Sequence, residues 1–105
     1  MEHYLKIGRS FADAVCDGRK TFELRRNDRG YNAGDTIRFH CVEQSEEIQH
    51  EINAKRFRIS YCLNGYGLRE AFIAFAIEEI EGRSENYSLP VNASAAKSKK
   101  KANSA

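Results

Sequence analysis

Apolar and polar residues alternate in four short segments of the chain, and a period of two is typical of a half-buried β-strand. In the last segment, Phe57, Ile59 and Tyr61 share one face, so we predict that Phe57 and Tyr61 belong to the core. In the second, Phe22 and Leu24 point to one side and Glu23 and Arg25 to the other. The four predicted strands are His3–Ile7, Thr21–Arg25, Thr36–Val42 and Lys55–Leu63.

A helix of about two turns is predicted between the first two strands. Phe11, Ala14 and Val15 recur at the spacing i, i+3, i+4, which makes one apolar face. Ser10 precedes this face and is the predicted N-cap. Gly18 follows it, where the C-terminus of a helix favours a residue with positive φ.

The remaining segments are predicted as loops, except one that is ambiguous. Gln44–His50 is polar and acidic and indicates a hairpin connection or an exposed loop, and Asn64–Gly67 indicates a turn. Phe72–Ile80 is compatible with a helix or a buried strand, and its periodicity slightly favours the helix. One short helix among several strands predicts a small α+β fold built on a curved antiparallel sheet or barrel.

Length and charge indicate one domain followed by a basic tail. The chain has 105 residues, which suffices for one small domain. Residues 1–86 contain thirteen Lys and Arg against fifteen Asp and Glu, a net charge of −2, so a generic polyanion-binding domain is not indicated. Residues 87–105 carry four Lys and no acid, and we expect them to form a disordered tail rich in Ala, Ser and Lys.

Composition also restricts location and chemistry. No run of about eighteen apolar residues occurs and the N-terminus lacks a secretory apolar segment, so we expect a cytoplasmic protein without membrane association. Cys16, Cys41 and Cys62 are widely spaced and are expected to be free thiols rather than zinc ligands. No phosphate-binding loop or dinucleotide fingerprint is present, and we expect neither a metal nor another cofactor.

The densest polar cluster lies between Gly18 and Arg29. Strand alternation places Glu23 and Arg25 on one face, and Lys20 lies at the corner between helix and strand. These three side chains can form a structural ion-pair network, bind a phosphate or a base edge, or carry out acid–base chemistry. Spacing alone leaves these alternatives open.

Gly18-x-Lys20-x-x-Glu23-x-Arg25 resembles the G-x-K-x-x-E-x-R signature of ASCH domains, which belong to the PUA-like superfamily. The likeness runs from about His3 to Glu81 and is closest to a subfamily of short domains of unknown function, found in bacteria and phages. It also includes four shorter matches, which are His3-x-Leu5-Lys6-Ile7, Phe22-Glu23-x-Arg25-x-Asn27-Asp28-Arg29, Gly34-Asp35 and Gly65-x-Gly67-Leu68.

The resemblance implies a small β-barrel of five or six mostly antiparallel strands with one or two short helices, in which Phe72–Ile80 is a strand. It also implies binding of RNA or of a modified nucleotide, with an unpaired base stacked on Tyr66 or Tyr31. A protein partner is also possible. The predicted ligand-binding residues are Lys20, Glu23, Arg25, Arg26, Asn27, Arg29 and Tyr66.

Two alternative functions remain open. Some relatives are small amidohydrolases acting on a modified nucleoside, and at least one relative has been described as a ribonuclease; in such an enzyme Lys20 and Glu23 would be catalytic. The catalytic Thr of the amidohydrolases falls at Glu23, however, and their further Glu has three candidates here, Glu70, Glu78 and Glu79. The second alternative is a phage or bacterial protein-interaction factor, with which the small size and basic tail are compatible.

Overall fold

A computed structural model describes residues 1–80. The predicted tail, residues 87–105, and the end of the predicted domain, residues 81–86, lie outside the described residues. The elements are β1 (Glu2–Gly8), α1 (Arg9–Cys16), β2 (Phe22–Arg26), β3 (Thr36–Glu43), β4 (Glu46–Glu47), a 3₁₀ turn (Glu51–Ala54), β5 (Arg56–Leu63) and β6 (Phe72–Ile80).

The strands form a single curled sheet with the order β1-β3-β5-β6-β2, and β4 pairs with β3. All pairings are antiparallel except that of β1 with β3, which is parallel. The sheet curls into a half-barrel, and β1 and β2 lie at the two ends of its order. This confirms the predicted α+β class and the mostly antiparallel sheet. Among residues 1–80, the α-helix is eight residues long, too short to cross a membrane.

The concave side of the sheet holds the hydrophobic core. Helix α1 packs against this core through Ala12, Val15 and Cys16, so of the predicted apolar face Phe11, Ala14 and Val15 only Val15 is fully buried. Burying these side chains is the main favourable term in the folding of so small a domain. The largest fully buried side chains are Phe39, Phe75, Leu5, Ile37, Ile52, Ile59 and Cys41.

Phe72–Ile80 is a strand. The family resemblance implied a strand, whereas the periodicity slightly favoured a helix. It lies between β5 and β2, where Ile73, Phe75 and Ile77 are buried and alternate with less buried residues. The helical reading of this segment is wrong because Phe72 and Ala76 lie on the outer face of the sheet, opposite the core. Because alanine counts as apolar, the apolar positions of this segment resemble the spacing of a helix, although the segment is a strand.

A β-bulge in β5 places Tyr61 on the outside of the sheet, so the prediction that Tyr61 belongs to the core is wrong. Ile59 pairs with Ile77 on β6, whereas Tyr61 pairs with Ala76, and Ser60 is the extra residue. A bulge adds one residue to a strand and therefore exchanges the faces of all residues that follow it. Phe57, before the bulge, is buried as predicted, whereas Tyr61 is 64% exposed.

The helix begins earlier than predicted. Gly8 is the N-cap residue of α1 and Ser10 lies inside the first turn, so the predicted Ser10 cap is wrong. The chain passes directly from β1 into α1, and pairing of Gly8 with Val42 fixes that junction through the sheet. At the other end Gly18 has φ 88°, as predicted for the residue that follows the helix. Gln44–His50 contains the hairpin strand β4.

Candidate nucleic-acid interface

Strand β2 turns its charged face towards the interior of the half-barrel. Glu23 is buried and pairs with Phe75 of β6, whereas Phe22 and Leu24 are about half exposed on the outer face. The alternation was predicted, but hydrophobicity alone would place the apolar residues inside. A buried carboxylate is tolerated only when cations and hydrogen bonds compensate for its lost hydration.

Lys20, Glu23 and Arg25 form a contiguous ion-pair cluster. The ammonium of Lys20 donates to Oε2 of Glu23 at 2.7 Å, and Nε of Arg25 donates to Oε1 at 2.9 Å. The Glu23 side chain is 5% exposed, compared with 16% for Lys20 and 24% for Arg25. Two cations on one carboxylate leave the cluster with a net charge of +1, and both cations are partly exposed.

Lys20 is held by the end of the helix and flanked by two aromatic rings. Its backbone N–H donates to the carbonyl of Ala14 at 3.0 Å, and its ammonium donates to the carbonyl of Phe22 at 2.7 Å. The same ammonium lies 5.4 Å from the ring centroid of Phe11 and 5.1 Å from that of Phe22. Both rings are exposed, so a cation and two aromatic groups share one accessible surface.

Two arginines bridge the open side of the half-barrel, between β1 and β2. Arg25 donates from Nη2 to the carbonyl of Lys6 at 2.8 Å, and Arg29 donates from Nη1 to the carbonyl of Tyr4 at 3.1 Å. Both acceptors belong to β1, whose ladder partner is β3. Side-chain donors therefore connect the two end strands of the sheet. We call this region, defined by Lys6, Tyr4, Arg25 and Arg29, the seam.

A stack of buried rings lies beneath the cluster. Tyr31 is 4.7 Å from His3 and 4.7 Å from Phe75, measured between ring centroids. Burial raises the pKa of Tyr31, while the nearby positive charges of Arg25 and Arg29 act in the opposite direction. Tyr31 is 4% exposed, so the expectation that it stacks on a ligand base is wrong; it supports the cluster from below.

The other predicted ligand residues lie at the far end of β2. Arg26 points outward, with its guanidinium 5.2 Å from the ring centroid of Phe72. Asn27 holds its loop in place: its N–H donates to the carbonyl of Ala71 at 2.8 Å, and its Oδ1 accepts from the N–H of Tyr31. Tyr66 is almost fully exposed in the β5–β6 loop.

A shallow groove of about 410 Å³ lies at this end, and its walls include Asn27, Asn64, Gly65 and Phe72. Tyr66 follows Gly65 directly, which places it beside the groove. The predicted residues therefore divide into two groups. Lys20, Glu23, Arg25 and Arg29 lie at the cluster and the seam. Arg26, Asn27 and Tyr66 lie near the end of β2, where Arg26 is about 10 Å along the strand from Glu23.

Sequence reasoning missed three accessible residues beside these groups. Phe11 and Phe22 flank Lys20, and Arg69 stacks on Phe72 at 5.9 Å. The signal for Phe22 was its position inside the signature, on the face opposite Glu23. Phe11 had been assigned to the apolar helix face, yet it is 57% exposed because Ala12, Val15 and Cys16 form the face that packs on the core.

Two of the three candidates for a further catalytic Glu form ion pairs outside the cluster. Glu79 binds Lys55 at 3.1 Å and Glu78 lies 3.6 Å from Arg58, whereas Glu70 lines the groove. Within residues 1–80 no group of three His, Cys, Asp or Glu side chains is arranged to hold a metal ion. Cys16, Cys41 and Cys62 are free thiols.

The chain was compared with protein families, curated sequences and solved structures. A family model described as domain of unknown function DUF3850 matches residues 2–77. The comparison with curated proteins gave no significant match. The crystal structure of hypothetical protein PH0355 is similar, with a TM-score of 0.52 and 15% identity over 76% of this chain and 100% of that chain, a likeness of fold alone. By the extent of the family match, the chain belongs to the DUF3850 family.

Proposed function

We propose that this protein is an ASCH-type domain that binds single-stranded RNA or a nucleotide at the Lys20, Glu23 and Arg25 cluster. The observation that carries the proposal is the position of Lys20 between the exposed rings of Phe11 and Phe22. Proteins that bind single strands commonly combine cations, which neutralise phosphates, with aromatic rings, which stack on bases.

The charges of the cluster suit a phosphate. Glu23 neutralises one of the two cations, and the remaining positive charge lies on the accessible side of Lys20 and Arg25. Arg25 presents a planar group of donors, part of which is directed at Glu23 and Lys6 and thereby fixed in orientation. A pre-oriented guanidinium loses less conformational freedom when it binds an anion.

Two further observations support an ASCH-type assignment. The signature residues Gly18, Lys20, Glu23 and Arg25 converge on one site, although they lie on a turn and a strand. The half-barrel with a short helix is compatible with a PUA-like fold. The partners of this binding would be RNA or a nucleotide, in single-stranded or modified form.

The geometry supports binding more than hydrolysis. Both carboxylate oxygens of Glu23 accept strong hydrogen bonds from cations, and a general base needs a free oxygen at the reacting proton. Lys20 is similarly held, by Glu23 and by the carbonyl of Phe22.

The test is fluorescence anisotropy of the full-length chain with labelled single-stranded RNA. We expect Arg25→Ala to weaken binding about tenfold, since a charge-assisted contact contributes about 1.5–3 kcal/mol. Because Arg25 also holds the seam, the double variant Phe11→Ala, Phe22→Ala provides a second test, with about 1–3 kcal/mol lost per stacked base. Both rings are exposed, so this variant should fold. Arg9→Ala is the control, since Arg9 is an exposed arginine paired with Glu43.

The basic tail requires a separate variant, because it adds a sequence-independent attraction for any polyanion. In the full-length chain, replacing its lysines by glutamine should reduce the salt dependence of RNA binding but preserve the effect of Arg25→Ala. If RNA binding disappears with the tail charges alone, and the Arg25 and Phe variants bind like the control, the proposed site is wrong. The replaced lysines are Lys97, Lys99, Lys100 and Lys101.

A further inference from the structure

The outer face of β5, β6 and β2 carries an exposed apolar trough. Its floor consists of small residues on the central strand, and larger apolar residues on the two neighbouring strands form its walls. In the register of the sheet, Phe22 and Tyr61 both pair with Ala76, and Leu24 and Leu63 both pair with Ala74. We call this surface the outer trough; it comprises Ala74, Ala76, Phe22, Leu24, Tyr61 and Leu63.

The dimensions of the trough follow from strand geometry. Neighbouring strands are about 4.8 Å apart, so the Cα atoms of Phe22 and Tyr61 are separated by about 10 Å across Ala76. The side chains of Phe22, Leu24 and Tyr61 are at least half exposed, so their apolar surfaces face solvent within residues 1–80. A contiguous apolar patch of this kind on a small domain is typical of a binding surface.

The charged side chains beside the trough are mainly cationic, which favours an anionic partner. The four cation–π contacts found within residues 1–80 lie at the two ends of the trough: Lys20 with Phe11 and Phe22 at one end, and Arg26 and Arg69 with Phe72 at the other. Phe72 pairs with Arg26 across the strands, so it continues the line of Ala74 and Ala76. Glu78, further along this line, is balanced by Arg58.

We propose that the outer trough is a second contact surface for the ligand of the Lys20 cluster, and that this ligand is therefore a single-stranded polynucleotide rather than a lone nucleotide. The inference rests on the proposed function. Phe22 belongs to both surfaces, since it contacts Lys20 and forms one wall of the trough. Because β2 is the last strand in the order of the sheet, a polynucleotide bound at the cluster can pass from Lys20 over Phe22 to the outer face of β2.

The length of the surface suits several nucleotides. Phe22 and Arg26 are about 13 Å apart along β2, whereas neighbouring phosphates of a stacked strand are about 3.4 Å apart along its axis. Lys20 at one end and Arg26 and Arg69 at the other can each neutralise a phosphate. Bases between them can stack on Phe22 or Tyr61, which needs no particular sequence.

The experiment compares two probes on the full-length chain, uridine monophosphate and an oligouridine of about twelve nucleotides. Tyr61→Ser should weaken binding of the oligouridine about tenfold and leave binding of the monophosphate unchanged, because Tyr61 lies outside the cluster. Arg25→Ala should weaken binding of both probes. Tyr61→Phe is the matched control, since it removes only the hydroxyl group and keeps the ring that stacks on a base.

A second substitution tests the charged end of the trough. Arg69→Ala should weaken binding of the oligouridine and reduce its salt dependence by about one counterion, while the Arg9→Ala control should change neither. Neither arginine belongs to the Lys20 cluster. A loss restricted to the longer probe would support a polynucleotide ligand.

The outcomes separate the two proposals. If Arg25→Ala weakens binding and Tyr61→Ser behaves like Tyr61→Phe, the proposed function stands and the outer trough is overturned. If Tyr61→Ser weakens oligouridine binding while Arg25→Ala has no effect, the cluster is wrong as the primary site. Sedimentation velocity decides the remaining case: if Tyr61→Ser converts a dimer into a monomer at unchanged RNA affinity, the trough is an interface between copies.

Discussion

The ammonium of Lys20 lies 2.7 Å from Oε2 of Glu23, and the Glu23 side chain is almost completely buried. The other oxygen accepts from Arg25, so the carboxylate has exchanged water for two cationic donors. A buried ion pair of this kind contributes little net stability as a whole, but losing one member leaves the others without compensation.

Glu23→Gln should therefore lower the free energy of unfolding by about 2 kcal/mol, because Lys20 and Arg25 lose their shared counter-charge. Urea denaturation measures this change. Glu43→Gln provides the matched control, since Glu43 pairs with Arg9 in an exposed position, where such pairs contribute about 0–1 kcal/mol. Equal effects of the two substitutions would contradict a stabilising role of the buried cluster.

The two aromatic residues predicted for the core of β5 should respond differently to truncation. Phe57→Ala should cost about 3–5 kcal/mol because it opens a cavity beside Phe39, whose ring lies 5.5 Å away. Tyr61→Ala, beyond the bulge, should change the free energy of unfolding by less than about 0.5 kcal/mol. Thermal or urea unfolding of both variants measures the difference. A large loss in the Tyr61 variant would show that the bulge is not maintained in solution.

Asp35 makes stability depend on pH at the acidic end. Burial raises its pKa, but hydrogen bonds from His3 and from the N–H of Asn32, together with the N-terminal ammonium, outweigh burial, so the pKa lies below its ordinary value. A carboxyl group with a lowered pKa stabilises the folded state above its unfolded pKa, about 3.9, and this stabilisation is lost as the pH falls through the folded pKa. The urea midpoint should therefore decrease as the pH is lowered below about 4.

Asp35→Asn should remove part of this dependence, since the variant has no carboxyl group to protonate. Asp28→Asn, in which a largely exposed carboxyl group is replaced, should retain the acid sensitivity of the natural sequence. An acid profile that is the same for all three proteins would refute the role assigned to Asp35.

The N-terminus of α1 offers a simple stabilising substitution. Gly8 has the extended conformation of an N-cap residue, φ −71° and ψ 155°, but no side chain to accept a hydrogen bond. Gly8→Ser should raise the free energy of unfolding by a few tenths of a kcal/mol, up to about 1 kcal/mol. A Cβ at this position meets Cδ2 of Phe11 at 3.7 Å, an ordinary contact.

Ser10→Ala distinguishes the observed cap from the predicted one. Because Ser10 lies inside the helix, alanine should be neutral or slightly stabilising there. A cost of about 1 kcal/mol, together with no gain from Gly8→Ser, would restore Ser10 as the N-cap. Urea denaturation of the two single variants is sufficient for this test.

Much of the secondary structure could be predicted from periodicity, because strands β1, β3 and β5 and helix α1 each bury one face. The orientation of β2 could not be predicted in this way. Alternation separates Glu23 from Phe22 but does not decide which is inside, and that decision depends on Lys20 and Arg25, which compensate the buried charge. The bulge at Ser60 has no local signal either, because it is fixed by pairing with β6.

The candidate site was predictable only in part, for the same reason. Residues within one short segment, Lys20, Glu23 and Arg25, were placed together correctly by the geometry of a strand. Contacts between distant segments were not foreseen: Arg29 with the carbonyl of Tyr4, and His3 with Asp35. The parallel pairing of β1 with β3 creates both, and no local pattern specifies which strands become neighbours.

The order of the strands determines when this site can form during folding. β1 and β2 are the first strands along the chain, yet β1 must wait for β3, and β2 for β6, the last described strand. Arg25 therefore reaches the carbonyl of Lys6 only after the whole sheet has assembled, and folding dominated by such non-local pairings is slow. A ligand that requires the seam therefore binds only fully folded molecules, and its binding stabilises the pairing of the end strands β1 and β2 with the rest of the sheet.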